Sequence, residues 1–319
     1  MSSTATFLCV SANPAIDKRI RAKSFHVGEV NRVTDVAAEP GGKAAHVALS
    51  LVALGERPSW IGFAGGANGS DLVEGLDTAG IRTHRVETQQ PTRVNLAILD
   101  GEGVVTEILE PGGPISPPEV NAFRKACELS FLQMKGHGFA IFSGSLPLGV
   151  PGDFYATLIR SAQAAGCRTF LDTSGAGLKA GLSESPDFVK PNQEEAELIL
   201  GAAITNLSQA RIAVSDFFAC GAGSVALSLG KNGLLWCPGP KERVCHVRPA
   251  AVERRSCVGS GDATLAGFAH AIARGLPSEE TVLLAASCGA ANCLADSPGR
   301  IRISDIEQMK NGMTLEMLD

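Results

Sequence analysis

Short runs of apolar and β-branched residues alternate along the chain with segments whose apolar positions recur every three to four residues. Residues 7–10 form the first apolar run, which ends in the turn signal Asn13-Pro14. From Ala44, the positions Ala44, Val47, Ala48, Leu51 and Val52 follow the i, i+3, i+4, i+7, i+8 spacing of an amphipathic helix, which opens directly after Gly41-Gly42. Residues 60–63, 139–143, 169–172, 187–189 and 225–229 read as buried strands, with helices over about 69–79, 117–131, 151–165 and 193–201 between them. Strands interleaved with helices predict right-handed βαβ crossovers and an α/β fold with a mostly parallel, doubly wound sheet.

Two regions break the alternation. Residues 27–37 and 93–109 read as consecutive strands without helices, and the second contains the turn signal Asp100-Gly101. They predict a small antiparallel layer projecting from the sheet as a lid over a site at the strand ends. The chain shows no internal repeat, low-complexity tract or Pro/Ser-rich linker. The expected organisation is therefore one domain over residues 1–319, with lid strands from about 18–37 and 91–110.

Composition narrows the function classes. The 319 residues are 45% hydrophobic and 19% charged, a balance that folds rather than stays disordered. The net charge of −5 argues against a general nucleic-acid surface, and 5% aromatic residues argue against stacking platforms for single strands. Nine cysteines occur without a CxxC pair or a metal-like cluster with histidine. Cys9, Cys127, Cys167, Cys220 and Cys288 sit in apolar stretches, where a thiol behaves as a small hydrophobe, so a reducing cytosol is expected. The first residues lack the basic and long apolar regions of a signal peptide, and nowhere do 18 apolar residues run together. A cytoplasmic protein is the expectation.

Three stretches carry chemistry. In residues 255–268, Gly259-Ser260-Gly261 is a tight turn feeding a helix whose apolar positions are Leu265, Phe268, Ala269 and Ile272. Small residues at a helix N-terminus let backbone N–H groups approach an anion, and the helix dipole favours negative charge there. Asp262 would repel that anion unless it faces a hydroxyl that must lose a proton while the N–H groups hold a transferring phosphoryl. An acidic helix cap is the alternative. In residues 39–48, Gly41-Gly42 opens a helix whose first turn offers Lys43 and His46 on nearly one face, fit for a phosphorylated or polyhydroxylated ligand or simply a turn with a solvated lysine. In the third, Asp172-Thr173-Ser174-Gly175 and Lys190-Pro191-Asn192 place polar groups at the carboxyl ends of adjacent strands, where doubly wound folds bind ligands.

Together these stretches resemble the PfkB (ribokinase-like) carbohydrate kinase family over essentially the whole chain. The resemblance is nearest to its 1-phosphofructokinase and tagatose-6-phosphate kinase branch. It runs through Asn13-Pro14-Ala15-Ile16-Asp17, Gly28-Glu29-Val30-Asn31-Arg32, Pro40-Gly41-Gly42-Lys43, Pro91-Thr92-Arg93-Val94-Asn95 and Thr106-Glu107-Ile108-Leu109-Glu110-Pro111-Gly112. It continues with Ser143-Gly144-Ser145-Leu146-Pro147, Asp172-Thr173-Ser174-Gly175, Lys190-Pro191-Asn192, Ser228-Leu229-Gly230 and Val258-Gly259-Ser260-Gly261-Asp262. The resemblance implies a ribokinase-like three-layer α/β/α sandwich with a β lid, and phosphoryl transfer from ATP with Mg2+ to a hydroxyl of a ketohexose phosphate such as fructose 1-phosphate, tagatose 6-phosphate or fructose 6-phosphate. Position by position, Asp262 resembles the catalytic base and Gly259, Ser260 and Gly261 the anion hole. Asp17, Gly41, Gly42 and Lys43 resemble sugar ligands, Arg93 the grip on the existing phosphate, and Ser143 a pocket residue at a strand end. Lys190 and Asn192 resemble residues that position nucleotide phosphates, with Glu195 as a magnesium ligand acting through water. Ser228, Gly230 and Gly233 fit the nucleotide-side turn. In the resembling branch the lids of two subunits clasp each other, so a homodimer is expected.

The departures bear on substrate identity. His46 stands where the family has a sugar-binding asparagine, and is carried over as a substrate ligand with a longer ring and a pH-dependent charge. The helix N-terminus and Lys43 are expected to disfavour its protonated form, and a bound phosphate to favour it. Leu109, Ser256-Cys257 and Ser260 also differ from the usual residues. The alternatives are a kinase of an unphosphorylated sugar or nucleoside, and a non-catalytic sugar-phosphate sensor. A dinucleotide-dependent oxidoreductase ranks last because no GxGxxG follows the first strand.

Overall fold

The computed structural model describes residues 5–134, 136–249 and 256–318. Arg255, at the start of the glycine-turn stretch, lies outside them. Strand β1 (Thr6–Ser11) is followed by β2 (Ala15–Ala22) and β3 (Val33–Gly41), and then by α1 (Lys43–Ala53), β4 (Ser59–Ala64), α2 (Gly66–Thr78) and β5 (Arg82–Glu87). After β6 (Arg93–Leu99) and β7 (Val105–Leu109), helix and strand alternate through α3 (Pro117–Gln133), β8 (Gly138–Ser143), α4 (Phe154–Ala164), β9 (Arg168–Asp172), α5 (Gly175–Leu182) and β10 (Phe188–Val189). Helices α6 (Gln193–Leu200) and α7 (Leu207–Ala219) lead to β11 (Val225–Ser228), β12 (Leu234–Cys237) and β13 (Val244–Arg248). The last described elements are α8 (Ser260–Ala273), α9 (Ser278–Asn292), α10 (Ile303–Asn311) and β14 (Thr314–Leu318).

Ten strands form one sheet in the order β14-β13-β12-β11-β10-β9-β8-β1-β4-β5. It is parallel from β11 to β5. Because helices cover both faces, its strands read as continuous apolar runs: all six residues of β8 are buried. Alternation along β1 feeds two cores. Leu8 and Val10 face α3, α4 and α7 through Phe123, Tyr155 and Phe217. Phe7 and Cys9 face α1, α2, α8 and α9 through Val47, Leu72, Phe268 and Val282. Phe268 packs between Phe188 and Trp236, with ring centroids 5.0 and 5.5 Å away, and so seats α8 on the sheet.

The lid is a second sheet, in the order β3-β2-β6-β7. Three readings change here. The layer is mixed and not antiparallel throughout, because β2 pairs with β6 in parallel. The strand expected over 27–37 begins only at Val33 and runs to Gly41, because the Asn31 side chain bonds both the N–H and the carbonyl of His26 and turns the chain back. In strand β2, Lys18 interrupts the alternation of Ile16, Ile20 and Ala22 with Asp17, Arg19 and Arg21, so its apolar pattern is too broken to read. The β6–β7 hairpin turns at Asp100, whose carboxylate accepts from the N–H groups of Glu102 and Val104 at 2.9 Å each. Beyond β11, expected over 225–229, the main sheet ends in antiparallel strands β12 to β14, which are absent from the sequence reading. A 3₁₀ turn at Gly230–Asn232 reverses the chain directly into β12.

Of the cysteines expected in apolar surroundings, Cys9, Cys127, Cys167 and Cys288 are buried, but Cys220 is exposed at the C-terminal end of α7. Among the described residues, no helix is long and apolar enough to cross a membrane. Truncating Phe268 to alanine should destabilise the fold by about 3–5 kcal/mol, the usual effect of emptying a buried aromatic site. Urea unfolding checks this, and a loss below about 1 kcal/mol would show that the rings beside α8 do not hold it.

Candidate active site

The turn that ends β3 brings the lid to the sheet. Gly42 is the N-cap of α1 with φ 85°, a left-handed conformation natural to glycine. Any side chain at Gly41 would collide with the Asp17 carboxylate, which the absence of a Cβ lets in. Asp17 Oδ1 accepts from Asn95 Nδ2 at 2.9 Å, and its carboxylate also accepts from the Gly42 N–H. One turn into α1, His46 is buried with 5% exposure. Its Nε2 lies 2.7 Å from Asp17 Oδ2 and its Nδ1 lies 2.9 Å from Asp262 Oδ2.

A neutral imidazole has only one N–H, so one ring nitrogen would turn a lone pair towards a carboxylate oxygen. The doubly protonated ring donates to both. Burial by itself pushes the His46 pKa down, but the hydrogen bonds and charges of Asp17 and Asp262 overcome it and raise it to about 10. The expectation that the helix N-terminus and Lys43 would disfavour the imidazolium is therefore reversed. The same contacts, with Asn95 and Gly42, hold Asp17 below the usual carboxylate range despite its burial. His46, expected as a substrate ligand, has both ring nitrogens committed to protein carboxylates.

Asp262 sits in the first turn of α8, after the N-cap Gly259 with φ 81°. The turn is braced from α9. Asn292 donates to the Val258 carbonyl at 2.7 Å and accepts from the Gly299 N–H at 2.8 Å. Ser260 turns towards α9, its Oγ 3.3 Å from Cys293 Sγ.

At the end of β9, the buried Asp172 lies between two lysines, with Lys43 Nζ 3.3 Å from Oδ1 and Lys190 Nζ 3.5 Å from Oδ2. Burial works against the Asp172 charge, and the two ammonium groups overcome it, lowering its pKa. The charge of Asp172, helped by Asp262 and Glu195, raises that of Lys43 against the effect of burial. The Lys190 Nζ lies 3.2 Å from where a Cβ at Gly261 would stand, so its charge borders the glycine turn. Asn192 caps α6 by accepting from the Glu195 N–H at 2.8 Å, while Glu195 Oε2 accepts from the Asn192 N–H at 2.9 Å. Glu195 Oε1 is 3.9 Å from Lys43 Nζ.

These groups line one cavity of about 900 Å³ between the lid and the strand ends. Asp17, Gly42, Lys43, His46, Arg93, Lys190, Asn192, Glu195, Ser228, Gly259, Gly261 and Asp262 all border it. Among the described residues, Gly41, Ser143, Ser260, Gly230 and Gly233 are not part of its wall. Ser143 is buried at the end of β8, and Gly144 and Ser145 border the cavity in its place. At Gly233 a side chain would meet the Val247 carbonyl of β13, a packing reason for glycine. Arg93 donates to the carbonyls of Pro14, Glu110 and Asn13 at 3.4, 2.6 and 3.0 Å, which leaves two of its five N–H groups for a ligand. Reading by motif marked Asp172 only as a polar group at a strand end and gave Asn95 no role of its own. The Asn95 Oδ1 is buried and, among the described residues, unpartnered beside the cavity. Both residues stood inside quoted motifs, but only the fold reveals their partners.

The family model "pfkB family carbohydrate kinase" matches residues 8–302. The chain is 35% identical over 283 residues to a 1-phosphofructokinase of Rhodobacter capsulatus, covering 88% of each. It is 31% identical over 305 residues to a tagatose-6-phosphate kinase of Staphylococcus epidermidis, covering 95% of this chain and 96% of that one. Its fold superimposes on Escherichia coli phosphofructokinase-2 in complex with fructose-6-phosphate with a TM-score of 0.86 at 28% identity, over 98% of this chain and 99% of that one. With a glycine turn, an acidic residue at a helix start and paired lysines converging under a β lid, the chain belongs to the pfkB family of carbohydrate kinases.

Proposed function

We propose that the protein is an ATP-dependent kinase that phosphorylates a hydroxyl of a ketohexose phosphate to give a bisphosphate. Fructose 1-phosphate, tagatose 6-phosphate and fructose 6-phosphate are the candidate acceptors. The observation that carries this reading is the placement of Asp262 in the first turn of α8, with Oδ2 held by His46. Its Oδ1 is then left to take the hydroxyl proton. The sugar oxygen, thus freed, forms a bond to the γ-phosphorus as the bond from that phosphorus to the bridging oxygen breaks, and ADP leaves with the electron pair.

The N–H groups of the Gly259–Gly261 turn at the start of α8 offer the γ-phosphoryl fixed donors. Lys43 and Lys190 supply positive charge beside that turn, and Asp172 keeps both in place. Asp17 and the free Oδ1 of Asn95 are suited to sugar hydroxyls, and the two remaining N–H groups of Arg93 to the phosphate already present. The donor set suits magnesium held through water and nucleotide phosphates: Glu195 is one cavity carboxylate with Oε1 outside the helix cap, whereas Asp172 is neutralised by lysines. Bound there, the ion would offset phosphate charge. No group of three or more His, Cys, Asp or Glu side chains is arranged as a cage among the described residues.

The lid supports a homodimer. Val27 and Val30 are 92% and 85% exposed, and Ile108 and Leu109 on the edge strand β7 are 52% and 59% exposed. Exposed apolar side chains along an open sheet edge favour burial against a second copy. Light scattering of the full chain should give a dimer at micromolar concentration, and Ile108→Lys should shift it towards monomer. A wild-type monomer with full turnover would remove the lid interface.

ADP release across a panel of sugars and sugar phosphates tests the substrate class. A phosphorylated ketohexose should show the highest kcat/KM, and a preference for an unphosphorylated sugar would favour the alternative. Asp262→Asn should lower kcat by about 10²–10⁴-fold while ATP still binds. Near-normal turnover in that variant would take the proton acceptor elsewhere.

His46 gives a pH test. Asp17 from β2, Asp262 from α8 and Glu107 from β7 act on it, with Lys43 on its own helix. Its folded pKa of about 10 lies above the ordinary 6.5, so its stabilising effect is complete below 6.5 and is lost as pH rises through about 10. The melting temperature of the wild type should therefore fall more steeply across that interval than that of His46→Asn. Parallel curves would show that the ring carries no extra proton.

A further inference from the structure

Two thiols face each other behind the glycine turn. Cys257 is exposed and lies two residues before Gly259, while Cys293 is partly buried at the C-terminal cap of α9. Their Sγ atoms are 3.7 Å apart, in van der Waals contact. The backbone ties the same segments, since the Ser256 N–H donates to the Cys293 carbonyl at 3.4 Å. The buried Cys9, Cys127 and Cys288 differ. Burial raises the Cys288 thiol to about 12 and pushes Cys9 and Cys127 up as well, which keeps them protonated and inert.

We propose that Cys257 and Cys293 form an oxidation site, a dithiol that a peroxide-class oxidant converts to a disulfide. The exposed Cys257 thiol gives up its proton and its sulfur attacks one peroxide oxygen. The O–O bond breaks, giving a sulfenic acid and a hydroxide that takes up the released proton as one water. The Cys293 sulfur then attacks the sulfenic sulfur, the S–S bond forms, and the hydroxyl leaves with the thiol proton as a second water. Two electrons pass from the two thiols to one peroxide.

The cross-link acts on the turn. A disulfide needs its sulfurs about 2.05 Å apart. Cys293 is the less mobile partner, because its neighbour Asn292 is fixed by the Val258 carbonyl and the Gly299 N–H. The contraction therefore falls on residues 256–258 and draws on Gly259, while Cys293 Sγ gives up its contact with Ser260 Oγ. This effect on turnover rests on the proposed role of Asp262 and the turn; the chemistry of the site does not.

The test treats the reduced full chain with hydrogen peroxide, blocks remaining thiols by alkylation, and reads intact mass and a peptide map beside kcat and KM. The expected result is a loss of two hydrogens per chain and a cross-linked peptide joining Cys257 to Cys293. It should come with a fall in kcat of about 10- to 100-fold, the scale of an ångström's misplacement at a reacting centre, and dithiothreitol should restore it. Cys293→Ser should yield no cross-link and keep its own untreated kcat. A map lacking this cross-link, or joining Cys257 to another cysteine, overturns the site. A chain cross-linked at this pair with unchanged kcat overturns its link to the turn. An untreated chain that phosphorylates none of the sugar phosphates defeats the kinase reading, while the mass still decides the site.

Discussion

A positive ring between two carboxylates, Asp262 buried and Asp17 partly buried, holds the site together. Asp17 comes from the lid and Asp262 from α8, and drawn together out of water they would repel one another and resist ionisation. His46 lies between them and gives each a charge-assisted hydrogen bond, at 2.7 and 2.9 Å. Its position follows from the Gly41-Gly42 turn, because α1 starts there and carries His46 one turn in, between both carboxylates. One ring thereby sets the orientation of a lid residue and of the acid at the glycine turn together.

The same logic recurs at Asp172, with the signs exchanged. Two lysines that would repel each other are kept side by side by one buried carboxylate. Such buried arrangements add little net stability, since removing charges from water offsets most of the attraction. Their effect is placement. They keep ammonium groups beside the α8 turn in the absence of any phosphate, so less reorganisation accompanies binding.

Much of the fold was legible because a sheet covered on both faces prints its strands as apolar runs, as in β1, β8 and β9. The glycine turn before Asp262 was legible because small residues directly ahead of a helix-period apolar pattern mark a tight turn into a helix. The lid was legible only in part. In β2 a lysine, Lys18, stands among the alternating apolar positions Ile16, Ile20 and Ala22, so the pattern that would mark its faces is interrupted. The reversal after β11 hinges on a three-residue turn that periodicity does not register. Partners separated by many residues were least accessible. His46 reads as a ligand until Asp262, 216 positions away, is found on its ring. That the Arg93 guanidinium also holds three backbone carbonyls is equally invisible in its motif.

The aromatic packing under α8 has an optical consequence. The chain has two tryptophans, Trp60 and Trp236, and both are buried. Trp236 lies one ring away from Phe268, on the helix that begins at the glycine turn. Native emission therefore arises from indoles shielded from water, one of them in contact with the element that carries Asp262. The protein holds an intrinsic fluorophore against the helix that begins at its glycine turn, and changes in that helix can be followed by light without attaching a label.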